Sequence, residues 1–142
     1  MLARTTARSL STTMKIVRIL GRNISDIPTF YDEINRVLMA NEEWRLAESL
    51  DALNDLLYGG YGEINGQEPV RIIWHDIAAS SSALGFDATR TFLAEKLKRR
   101  DIFNAEKIGR QLEALDRGEG QTYFDIVIEI IGDHHNIELI PA

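Results

Sequence analysis

The sequence predicts an α/β domain in which strands are joined by helical crossovers and so run parallel. Two observations predict it. Strand-like apolar runs at residues 15–20, 70–74 and 136–140 are separated by stretches of helical length, several with apolar residues at helical spacing. The chain of 142 residues, 44% apolar, is also long enough for one domain with a proper core and no staples.

Each element has a local cause. Lys15-Ile16-Val17-Arg18-Ile19-Leu20 reads as a buried or half-buried strand stopped by Gly21. Ser25 or Asp26 can cap the next helix, with Pro28 in its first turn and Ile27, Phe30, Ile34, Val37 and Leu38 inward. Asn41 is expected to end it, and a second helix is expected from about Trp44 to Tyr58. Gly59, Gly60, Gly62 and Asn65-Gly66 make a turn-rich connection to the strand that ends at Trp74. Asp76 is placed to cap a short helix through Ile77 and Ala78, loosened by Ser80-Ser81-Ser82 and Gly85. Asp87 can cap a helix to about Arg100, and Asn104 another that ends at Gly118. The stretch 123–131 is ambiguous. Its Ile and Val favour a strand, yet Asp125, Glu129 and Asp133 stand i, i+4, i+8, and Phe124, Val127, Ile128 and Ile131 fit a helix face. Residues 1–13 carry Arg4 and Arg8, no acids and no apolar period. They read as a disordered tail, either a targeting segment or an upstream extension of a gene that starts at Met14.

Charge and composition narrow the function. Residues 23–68 hold ten of the 22 acidic residues but two of the 16 basic ones, a local −8 within a net −6. Such a field repels nucleic acid and attracts a basic protein, although generic solubility also accounts for an acidic balance. No apolar run approaches the roughly 20 residues of a membrane span. Without cysteine, disulfides, thiolate catalysis and cysteine–zinc sites are excluded, and a reducing compartment suits the chain.

The second helix carries the signal. At about 100° per residue, Leu46, Leu50, Leu53 and Leu57 form one stripe. Glu48, Asp51 and Asp55 form another roughly opposite, with Trp44 and Tyr58 at its ends. Taken alone this is a solvated acidic face over a buried one. The order Leu50-Asp51-Ala52-Leu53-Asn54-Asp55-Leu56-Leu57, followed by Gly59-Gly60, resembles the second helix of barstar-type ribonuclease inhibitors.

Residues 15–78 and 122–142 resemble that family in order and spacing, while 83–119 looks like a helical insertion. The resemblance implies a barstar-like domain over 14–142, three parallel strands flanked by helices, and a helix at 123–131. It also implies that motif-helix carboxylates enter the basic, phosphate-binding active site of a ribonuclease. By position Asp55 would be the central plug beside Asp51, Glu129 the helper on the last helix, and Asp133 near a second acidic contact. Glu48 would extend the stripe, and Trp44 and Tyr58 would form its aromatic rim. Two departures bear on the target: Leu46-Ala47 stands where relatives often carry an aromatic-glycine pair, and Asn54 where they carry an aromatic residue.

The expected protein is therefore a cytoplasmic monomer that inhibits a basic secreted ribonuclease or ribonuclease toxin, without cofactor, nucleic acid or membrane. The alternative is an interaction module of the same fold for another nuclease toxin or basic protein; an enzyme acting through Asp51 and Asp55 ranks third. Other residues have simpler readings. Adjacent His134 and His135 suit a turn better than a metal site, with no third ligand fixed by spacing. His75 reads as a strand-end histidine, and Lys96, Lys98, Arg99 and Arg100 as a solvated helix end. Gly59-Gly60-Tyr61-Gly62 follows a helix and lacks the lysine of a phosphate loop.

Overall fold

The computed structural model describes residues 14–99 and 104–142; the tail assigned to residues 1–13 lies outside them. Strands β1 (Lys15–Leu20), β2 (Val70–His75) and β3 (Ile137–Pro141) form one parallel sheet in the order β1-β2-β3. Ile19 lies opposite Trp74, and Ile72 opposite Leu139. Helices α1 (Ile27–Leu38) and α2 (Leu50–Leu57) join the first two strands. Helices α3 (Ile77–Ala83), α4 (Phe86–Lys98), α5 (Ala105–Asp116) and α6 (Tyr123–Gly132) lie between the last two.

Alternation along the strands puts one face of the sheet into the core. Val17, Ile19, Val70, Ile72 and Trp74 are buried, while Ile16 is half exposed and Arg71 pairs with Glu138 at 2.8 Å outside. Trp74 is the hub. It stacks on Phe30 at 6.0 Å and meets the edge of Phe124 at 5.6 Å, and its Nε1 donates to Ser80 Oγ at 2.9 Å.

Several boundaries differ from the sequence reading. Asp26 and Thr29 build the capping box of α1, but the helix stops at Leu38, before Asn41. The Leu38 carbonyl instead accepts the Glu63 N–H at 2.8 Å, which ties the helix end to the glycine-rich loop. The motif helix begins at Leu50, not Trp44. Asn35 binds Leu46 in non-helical backbone, and Ser49 caps α2 by accepting from Ala52 N at 3.0 Å. Trp44, Leu46 and Glu48 thus precede the helix, and Leu46 is buried from a non-helical stretch. Gly59, at φ 84°, turns the chain out of α2 in a conformation that favours glycine.

Helix α3 runs through all three serines because buried Ser80 is held by Trp74. Asp76 makes no side-chain cap and sits at φ 52°. Gly85, not Asp87, is the N-cap of α4, whose first turn is closed by Thr89 Oγ1 donating to the Gly85 carbonyl at 2.6 Å. Asn104 caps α5 as expected, through Lys107 N at 3.0 Å. The ambiguous stretch is helix α6, opened by a Thr122–Asp125 capping box.

Helices α4 and α5 pack on each other around Leu93, Ile108 and Leu115, a small core of their own. They join the main core through Phe92, whose ring meets Tyr123 at 5.0 Å, and through Thr89 Oγ1, which accepts the Tyr123 N–H at 2.7 Å.

Candidate functional site

Helix α2 has one dry side and one wet side. Leu53, Leu56 and Leu57 are at most 1% exposed, so the helix cannot lift away without uncovering core. Asp51 and Asp55, one turn apart, both stand on the exposed side. Among the described residues neither is taken by a salt bridge. The two carboxylates are thus presented to solvent from a fixed base.

Three neighbourhoods surround them. On one flank Trp44 and Tyr61 pack at 4.9 Å. Burial pushes the Tyr61 hydroxyl above its ordinary pKa, and the charge of Asp55 adds to that push. Trp44 is 48% exposed, and Tyr58, at the end of α2, is 57% exposed. Both are aromatic surfaces open to solvent.

On the second flank the start of α2 faces the end of α4 across a cleft of about 480 Å³. Glu48, Ser49, Leu50 and Asp51 line one wall; Phe92, Glu95, Lys96 and Arg99 line the other. Lys96 Nζ lies 4.5 Å above the Phe92 ring. Burial pulls the Lys96 ammonium below its ordinary range while the charge of Asp51 opposes that. The Asp51 end of the pair therefore shares its space with cations of the chain itself.

On the third flank Asn54 reaches buried His134, Nε2 to Oδ1 at 2.8 Å, and Tyr58 meets the same ring edge-on at 4.6 Å. This links α2 to the turn after α6, which packs against α2. Glu129 is exposed on α6, its carboxylate 3.4 Å from Gln121 Nε2, and Asp133 is exposed at the helix end.

Sequence reasoning missed Tyr61, Phe92 and the Asn54–His134 bond. An aromatic residue amid three glycines was the available signal for Tyr61; helical spacing turned Phe92 inward without showing the cleft it lines, and nothing local marked the Asn54–His134 bond. Among the described residues no group of three or more His, Cys, Asp or Glu side chains could hold a metal ion. The arrangement exposes carboxylates and aromatic rings to solvent.

The model of a family described as Barstar (barnase inhibitor) matches residues 14–113. The match takes in α4 and most of α5 and stops before α6 and β3. No curated protein matches the chain.

Proposed function

Because the chain belongs to the barstar family, we propose that it is a protein inhibitor of a ribonuclease. Asp55 fills the phosphate-binding site of the enzyme, with Asp51 and Glu129 beside it. The observation that carries this reading is the pair Asp51 and Asp55, exposed one turn apart on a helix that buries Leu53, Leu56 and Leu57 on its other side. A carboxylate held there can stand in for a substrate phosphate and accept charge-assisted hydrogen bonds from active-site Arg, Lys or His. Glu48 and Asp133 extend the negative field that draws in a basic enzyme, and Trp44 and Tyr58 supply contact area at the rim.

Blocking needs no bond-making, no cofactor and no metal, only rigid presentation. No helix among the described residues is long and apolar enough to cross a membrane. We place the protein in the cytoplasm as a monomer, where it guards against a basic nuclease made by the same cell or a competitor. The end of α4 stands beside the plug, facing Asp51 across the cleft.

A second reading, a basic nuclease or toxin that does not cleave RNA, is favoured by one observation: Asn54, between the two aspartates, is turned inward to His134 and offers no aromatic anchor to a partner. The test is a titration of the full chain into a barnase-type ribonuclease while RNA cleavage is followed. Inhibition that reaches completion at one equivalent supports the ribonuclease reading. Uninhibited cleavage removes that enzyme class and leaves the second reading.

A further inference from the structure

We propose that His134 is a positioning residue that fixes the rotation of α2, and with it the aim of Asp55 and Asp51, by holding Asn54 and Tyr58. The inference rests on the inhibitor reading, since it concerns how the same carboxylates are aimed. His134 itself is 5% exposed and stays behind the binding face.

The geometry is specific. Asn54 and Tyr58 are four residues apart, so they share one stripe of α2, and Asp55 directly follows Asn54. The imidazole grips this stripe twice, by the 2.8 Å bond to Asn54 Oδ1 and by the 4.6 Å ring contact with Tyr58. An amide oxygen only accepts, so the hydrogen sits on Nε2. The backbone holds the ring in place: the His134 N–H donates to the Ile131 carbonyl at 3.2 Å, and the His134 carbonyl accepts from Ile137 N at 3.0 Å.

Helix α2 needs such a grip. With eight residues it is too short to be stable alone. Its leucines resist lifting, but apolar contacts are non-directional and set rotation loosely. A side-chain tip stands about 6 Å from a helix axis, so a roll of ~20° moves a carboxylate by ~2 Å. A polar site tolerates about 0.5 Å. A directional hydrogen bond one residue from Asp55 supplies the missing constraint.

The grip also depends on the charge of His134. Burial holds the imidazole below its ordinary pKa of 6.5, Asp133 pulls it up and His135 pulls it down; the group facing it across the contact is Tyr58 on α2. Near pH 7 the ring is neutral, and Nδ1 needs no acceptor. Protonation below pH 6.5 would put a second N–H and a charge into this buried position.

The experiment compares the full chain with His134→Gln and His134→Ala against a barnase-type ribonuclease from pH 5 to 8. At pH 7 His134→Ala binds about tenfold to hundredfold more weakly. His134→Gln keeps an amide donor and recovers most of the affinity. The wild-type affinity falls with acid below pH 6.5, relative to His134→Gln, which lacks that step. A His134→Ala affinity equal to wild type, or His134→Gln as weak as His134→Ala, overturns the proposal. NMR of the free chain separates the two claims. The NMR signals of the Asn54 side-chain amide and the Tyr58 ring must follow the protonation of His134, at one shared midpoint. If they do and wild type leaves the nuclease active, the ribonuclease reading fails while the grip stands. If they do not, the grip fails whatever the nuclease does.

Discussion

The side-chain amide of Asn35 binds both backbone groups of Leu46: its Oδ1 accepts the N–H at 2.7 Å and its Nδ2 donates to the carbonyl at 3.4 Å. Asn35 and Leu46 are both buried. By holding this backbone out of the helix, Asn35 leaves Ser49 to cap α2 and so sets where Asp51 falls.

Asn35→Ala leaves the Leu46 N–H buried without an acceptor. The expected cost is about 1–3 kcal/mol, read as a lower urea midpoint at unchanged slope. A midpoint within error of wild type would mean that Leu46 is held by its apolar contacts alone.

Tyr31 and Tyr123 join α1 to α6 through their hydroxyls, 2.6 Å apart in the core. Burial pushes both hydroxyls above their ordinary pKa. Replacing either by Phe strands the other hydroxyl, whereas replacing both removes the pair cleanly. The double variant should therefore lose less stability than the sum of the singles, by about 0.5–1 kcal/mol in a denaturation cycle. Simple additivity would show that the hydroxyls do not act together.

Glu33 gives stability an acid limb. Burial pushes its carboxyl up, but hydrogen bonds from Arg36, Asn23 and Leu20 N–H, with the Arg36 charge, outweigh that and hold it below its ordinary 4.5. The folded value lies below the unfolded one, so the unfolded chain takes up protons first as pH falls. The contribution of Glu33 is thus complete above pH 4.5 and is lost as pH drops through the folded value. Glu33→Gln should lower stability at pH 7 and flatten the limb below pH 4.5 in urea titrations across pH. An unchanged slope there would contradict the assignment.

Much of this was legible in the sequence where causes are local. The cap at Asp26, the strand ending near Trp74 and the helical spacing of Asp125, Glu129 and Asp133 are written within a few residues of where they act. Asp51 and Asp55 were legible for the same reason. What escaped depends on distant partners. Nothing near Trp44 says that Asn35 will hold Leu46 outside a helix, and periodicity extended α2 too far. Asn54 was visible as a departure from relatives and His134 as a turn residue, but 80 residues separate them and no local pattern joins them. Lys96 read as part of a solvated helix end, because the cleft that puts it beside Asp51 exists only once α4 has packed.

The central claim is that Asp55 plugs the nuclease and does not merely add to a negative field. The direct measurement is the affinity of the full chain for a barnase-type ribonuclease, with Asp55→Ala set against Glu113→Ala, an equal charge change on exposed α5. The account predicts that Asp55→Ala loses at least about 2 kcal/mol, ~30-fold, with folding intact, while Glu113→Ala stays within about twofold. Equal losses in the two variants would contradict the plug and leave only electrostatic attraction.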